Sequence, residues 1–150
     1  MSAVDSLVSL YEEDETAWLE QMAQLIAERR FAELDYANLQ EFLTDMARRD
    51  KREVLSRLTV LISRRLKWER RPDRRSNGWR ATIAEQRREL EELLESGTLR
   101  NYAQEGLSKA YQRAVEQAAI EMGVDESEFP AESTLPLEEW MSKERLEEIA

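Results

Sequence analysis

Apolar residues recur along this chain at helical intervals, and no segment alternates apolar with polar positions as a strand would. Trp18, Met22, Leu25 and Ile26 follow the i, i+4, i+7, i+8 rule and predict a first helix from about Glu13 to Glu28. Arg29 and Arg30 then stand at its C-terminal end, where the helix dipole favours cations. Leu39, Phe42, Leu43 and Met46 predict a short second helix, with Asn38 as its N-cap and Phe31 to Tyr36 as the connection. From Lys51, the series Val54, Leu55, Leu58, Leu61, Ile62 and Leu66 gives the strongest signal and predicts a third helix to about Arg71, stopped by Pro72.

The stretch Pro72 to Gly78 is rich in turn formers, and Ser76 or Asn77 is placed to cap the next helix. Trp79, Ile83, Leu90, Leu93 and Leu94 mark this fourth helix, ending near Gly97. Ala103, Leu107, Ala110, Tyr111, Ala114, Ala118 and Met122 line a fifth, from about Leu99 to Gly123, whose small residues allow close approach. Asp125 to Leu135 is acidic and irregular, and Pro136 to Ile149 reads as one short helix or two broken ones, anchored by Leu137, Trp140 and Met141. The expected fold is all-α: an antiparallel bundle of about five helices in a single domain, with its core over about 11–123 and a C-terminal extension over about 124–150.

Composition agrees, since Ala, Glu, Leu, Arg and Lys make up 82 of the 150 residues. The chain has no cysteine and no histidine, which removes disulfides, thiolate nucleophiles, Cys-rich zinc sites and the usual general base. Its four glycines are too dispersed for a phosphate-binding loop. Met1 to Leu10 lacks the basic start of a signal peptide, and the most apolar stretch, Leu58 to Ile62, falls far short of the roughly 20 residues of a membrane span. A cytoplasmic protein without a membrane partner is expected.

Charge is segregated. The net charge of −10 divides into −6 over residues 1–60, +6 over 61–90 and −10 over 91–150. Arg57, Arg64, Lys67 and Arg71 fall on one flank of the third helix, and Arg74, Arg75 and Arg80 lie just beyond them. Trp68 and Trp79 lie within the same run, so these nine residues form the candidate surface for an anion, a nucleic acid or an acidic partner. The competing explanation is that acidic helices of the same bundle absorb this charge while both indoles end the core. Arg87 with Glu91 and Arg88 with Glu92 are already i, i+4 pairs. A total of −10 opposes non-specific approach to a polyanion. Arg65 breaks the pattern by standing near the centre of the apolar stripe, with Glu69 one turn on. Either the stripe ends at Ile62, or Arg65 is partly buried and needs a carboxylate.

Catalytic chemistry is sparse. Glu91, Glu92 and Glu95 have the E-E-x-x-E spacing of all-helical nucleotide pyrophosphatases, but the second E-x-x-D pair that such enzymes need is missing downstream. A solvated acidic face is the simpler reading. No cofactor is called for, and no lysine is placed beside a Ser or Thr nucleophile by any motif.

The order of motifs resembles a bacterial family catalogued as domain of unknown function twenty-nine, common in cyanobacteria, over about Leu10 to Met141. The resemblance rests on Tyr11-Glu12-Glu13-Asp14 with Ala17-Trp18, Arg30-Phe31 with Glu33-Leu34-Asp35, Asn38-Leu39 with Glu41, and Arg57-Leu58-Thr59-Val60-Leu61. It continues through Leu66-Lys67-Trp68, Trp79-Arg80-Ala81-Thr82-Ile83 and Phe129-Pro130. It implies a helical fold and supplies no activity. Where the family has a histidine four residues before the Lys-Trp tryptophan this chain has Arg64, and where the family has a second acidic residue beside Glu41 it has Phe42. Those departures take two parts from any metal or acid/base site between the second and third helices, and leave Arg64 for an anion. The reading favoured is a non-catalytic module that binds another macromolecule, most simply a protein. Nucleic-acid binding through the basic run is the alternative, a carboxylate-metal hydrolase is weaker, and a homodimer is open.

Overall fold

The computed structural model describes residues 2–143, and among these every regular element is helical. The α-helices are α1 (Ala3–Glu13), α2 (Glu15–Ala27), α3 (Tyr36–Arg70), α4 (Asn77–Leu93), α5 (Gly97–Glu105), α6 (Leu107–Met122) and α7 (Leu137–Trp140). The all-α expectation holds, with seven α-helices among the described residues where about five were expected. The chain divides into two compact units, Met1–Arg48 and Arg49–Ala150.

In the first unit, α1 was not expected. Its start is a capping box: Asp5 N–H donates to Ser2 Oγ (3.1 Å) and Ser2 N–H to the Asp5 carboxylate (3.2 Å). Asp14 alone joins α1 to α2, closing the first helix onto the Leu10 carbonyl (2.7 Å) and capping the second by accepting from Ala17 N–H (3.1 Å). At the far end of α2, Arg29 adopts the left-handed conformation (φ 57°), so that Arg30 N–H reaches the Leu25 carbonyl and Arg29 N–H that of Ile26.

Trp18, Met22, Leu25 and Leu34 form the core of this unit. The Trp18 ring packs edge-on to Tyr11 (4.7 Å between centroids) and against Phe42 (6.1 Å). Its indole N–H donates to Asp35 Oδ2 (3.2 Å), and Asp35, only 3 % exposed, also accepts from the Asn38 backbone N–H (3.4 Å) and side-chain amide (2.7 Å). Asp35 therefore caps α3, where Asn38 was expected to: the helix begins at Tyr36, so Asn38 is already inside its first turn.

The expected second and third helices are one helix, α3. The apolar stripe lapses between Met46 and Val54, but that stretch holds no glycine or proline to stop the backbone. The expected fifth helix is two, α5 and α6, because Gly106 interrupts it. A Cβ at Gly106 would lie 2.6 Å from Leu55 Cδ2 and 3.1 Å from the Tyr102 carbonyl oxygen, so a larger residue here requires the Leu55 side chain to move aside.

The core of the second unit joins Val54, Leu58, Leu61 and Ile62 of α3 to Ile83 and Leu90 of α4 and to the alanine face of α6. The C-terminal stretch is part of it. Phe129, Leu137 and Trp140 are buried there, the Tyr111 hydroxyl donates to the Pro130 carbonyl (2.7 Å), and Trp140 Nε1 donates to Ser133 Oγ (2.9 Å). The part of the expected C-terminal helix beyond residue 143 lies outside the described residues. Arg65 is 2 % exposed whereas Arg64 is half-buried, and the Arg65 Nη2 group donates to the Ser142 carbonyl. The apolar stripe thus continues past Ile62 and carries Arg65 inward, where a backbone carbonyl receives it.

Two substitutions test these contacts. Asp35→Ala leaves a buried indole N–H and the start of α3 without their acceptor and should cost about 2 kcal/mol, read from the shift in urea midpoint. Gly106→Ala should cost about 1 kcal/mol net of its helix-propensity gain, and less in a Leu55→Ala background. Equal costs in the two backgrounds would remove Leu55 as the cause.

Candidate functional site

All nine candidate residues belong to the second unit. Arg57 spans Glu53 (2.9 Å) and Gln86 (3.3 Å). Lys67, 7 % exposed, places its ammonium 2.5 Å from Glu121 and 5.0 Å from the Trp79 ring centroid, and Arg64 approaches the same carboxylate at 3.7 Å. Arg71 donates to the Met122 carbonyl (3.2 Å). Four of the nine, three on α3 and Arg71 just past its end, are therefore engaged with acceptors on α3, α4 and α6, and Arg74 is exposed in the adjoining turn. The hydrogen bond from Lys67 holds the Glu121 carboxyl below its ordinary pKa, partial burial opposes this, and Gln117 and Arg64 reinforce it.

Trp68, Arg75 and Arg80 form a second group. Arg75 Nε donates to the Trp68 carbonyl (2.8 Å), and its guanidinium lies over the Trp68 ring at 4.8 Å from the centroid. The Arg80 guanidinium lies over the same ring at 5.7 Å. Ser76, Asn77 and these three residues line a cavity of about 440 Å³ at the N-terminus of α4. Ser76 caps that helix by accepting from Trp79 N–H (3.1 Å), as one of the two expected caps. Trp79 lies with the Lys67–Glu121 group, so the two tryptophans of the basic run serve different clusters.

The carboxylates of the E-E-x-x-E spacing gather nothing. Glu91, Glu92 and Glu95 are exposed, Glu91 pairs with Arg87 (2.9 Å), and no group of three or more acidic residues among those described is arranged to hold a metal ion. No helix of the described residues is long and apolar enough to cross a membrane.

Sequence reasoning passed over a surface of the first unit. A groove of about 560 Å³ runs between α1 and α2, lined by Ala3, Leu7 and Leu10 on one side, Leu25 on the other, and the Arg30–Glu33 ion pair (2.5 Å). Val4 and Val8 each stand one position beyond residues of its α1 lining and are exposed, as are Ile26, Phe31, Tyr36 and Leu43. The signal was present in the helical spacing of Val4, Leu7, Val8 and Tyr11.

The sequence profile described as Domain of unknown function DUF29 matches residues 10–146. The chain belongs to this family. No curated protein and no solved structure matches it. Within the DUF29 segment, the position of the expected histidine, Arg64, faces Glu121 and not a vacant cavity, and Phe42 packs on Trp18 in the first unit.

The lowered pKa of Glu121 sets a pH dependence. A carboxyl with a depressed folded-state pKa stabilises the fold above its unfolded value, and the effect is lost as pH falls through the folded value. Native protein should exceed Glu121→Gln by about 1 kcal/mol near neutral pH, because Lys67 loses its anion and Glu121 is partly exposed. The difference should shrink as pH falls below the ordinary value of 4.5, as urea midpoints would record. A difference constant with pH would show that ionisation of Glu121 contributes nothing to stability.

Proposed function

We propose that this member of the family is a non-catalytic helical module that binds a protein partner through the α1–α2 face of its first unit. The observation that carries the reading is the groove between the two helices, lined by Ala3, Leu7, Leu10 and Leu25 together with Ser6, Gln21, Arg30 and Glu33, with Val4, Val8, Ile26 and Phe31 left in water around the same two elements and the turn after them. Monomeric proteins rarely leave apolar surface gathered in this way unless it is used.

Charge selects the partner. Residues 1–48 hold 11 acidic and 3 basic side chains, a net of −8. A unit with that balance repels a second copy of itself and attracts a basic partner, so the partner segment is basic and amphipathic, with apolar residues at helical spacing. The nucleic-acid alternative has less support, because Arg57, Arg64, Lys67 and Arg71 already serve acceptors of the chain and the Trp68 ring carries two guanidinium groups.

Affinity capture from the host with three forms of the tagged chain tests this. The native chain and Ile120→Asp, which alters an exposed apolar residue of the second unit, should retain the same basic protein. The Val4→Asp/Val8→Asp double variant should retain at least tenfold less while keeping its helical circular dichroism, and moderate salt should weaken the native complex. Equal recovery by all three forms would overturn the proposal.

A further inference from the structure

We infer that the groove between α3 and α6 receives an acidic, amphipathic helical segment of a partner protein, whose carboxylates meet Arg52, Lys109 and Arg113 while its apolar side chains rest on Leu55, Val60 and Tyr102. These six residues line a cavity of about 440 Å³ in the second unit. Arg52 comes from α3, and Lys109 and Arg113, one turn apart, come from α6. All three are exposed, and none is held by a hydrogen bond, an ion pair or an aromatic ring among the described residues. The cations of the basic run differ, since Arg57, Arg64, Lys67 and Arg71 each reach an acceptor of the chain.

The chain has 32 acidic and 22 basic side chains, yet no carboxylate lines this groove. Glu53, next to Arg52 in the chain, is held by Arg57 (2.9 Å), and Glu121, one turn beyond Gln117 of the groove, is held by Lys67 (2.5 Å). Lys109 and Arg113 are like charges at i, i+4, a spacing that disfavours a helix, and Arg52 brings a third cation to the same groove. Carboxylates from a partner relieve that repulsion, and the flat forks of the two arginines match them.

The apolar side chains decide the class of ligand. Leu55 is buried, and Val60 and Tyr102 are half-buried beside the cations. Lys109, Arg113 and Gln117 follow one another at i, i+4, i+8 along α6 and span about 12 Å, roughly two helical turns. Arg52, Ser56 and Thr59 make a matching row at i, i+4, i+7 along α3. Ser56 and Val60 also line a neighbouring hollow of about 300 Å³ with Gln86 of α4, so the surface continues across α3. That extent suits a helix laid in a groove, with acidic flanks on either side of an apolar ridge. A nucleic acid would bring phosphates but nothing to cover Leu55 and Val60, and the Tyr102 ring already faces the Lys51 ammonium (5.6 Å to the centroid). The groove selects a charge opposite to that of the partner proposed for the first unit and does not depend on that proposal.

Fluorescence anisotropy with the full chain tests the inference. The probes are a labelled synthetic helix of about four turns with leucine at helical spacing and glutamate on both flanks, its twin with glutamine in place of every glutamate, and a short single-stranded RNA. The glutamate peptide should bind saturably and lose affinity as salt rises, and its glutamine twin should bind at least tenfold more weakly. Lys109→Glu/Arg113→Glu should raise the Kd at least tenfold with helical circular dichroism intact, whereas Arg88→Glu/Arg100→Glu, an equal change of charge at exposed positions outside the groove, should leave it unchanged. Val60→Ser, which keeps every charge, should weaken binding several-fold. An equal loss in both double variants, no binding of the glutamate peptide at low salt, or tighter binding of the RNA than of the peptide would overturn the proposal. A Val60→Ser Kd equal to the native one would overturn the apolar part of the assignment. Sedimentation of the chain alone gives a monomer if the occupant is a separate protein, and self-association abolished by Lys109→Glu/Arg113→Glu would overturn that assignment in favour of a second copy.

Discussion

The second unit is organised by one requirement: α3 must bury a stripe of leucine and isoleucine while carrying arginine and lysine on both sides of it. Burying the stripe draws cations inward, and each one drawn in needs an acceptor at the depth where it lands. Arg65 reaches the Ser142 carbonyl, Lys67 reaches Glu121, and Arg71 reaches the Met122 carbonyl. These acceptors lie on α6, at its end and in the C-terminal stretch. The positions of those elements are therefore tied to the charge of α3 as well as to its shape.

Packing imposes the complementary demand. The alanine face of α6 packs into the core with α3, and at the far end of the same helix Lys67 of α3 meets Glu121. A bulkier face would leave Lys67 buried without an anion. Arg64 fits the same arrangement. It is a permanent cation directed to a carboxylate that already holds Lys67.

Much of this was legible in the residues. The Val54 to Leu66 spacing identified the buried face of α3 and left two places open for Arg65, of which the structure takes the buried one, and the turn formers of Pro72 to Gly78 narrowed the cap to Ser76 or Asn77. Boundaries fared worse for identifiable reasons. The polar turns between Met46 and Val54 contain no breaker, so the missing apolar stripe there reflected exposure and not an end of the helix. Gly106 carries no local signal because the side chain that crowds it is Leu55, about fifty positions away. At the candidate site, charge segregation was visible, but the destinations of the cations were not. The buried Arg65 and the half-buried Arg71 both donate to backbone carbonyls, which every residue has and no motif marks. The Trp68 cavity was legible only as a cluster of types in one run. What separates Trp68 from Trp79 is which cations reach each ring.

The placement of tryptophan has an optical consequence. Trp18 is the one indole in residues 1–48, and it lies at the centre of that unit's core with a carboxylate at its nitrogen and Tyr11 at close range. The other three indoles, Trp68, Trp79 and Trp140, belong to the second unit. Replacing those three with phenylalanine would leave an emission spectrum that reports the first unit alone, so the chain carries in its own residues a means of following one half without labelling it.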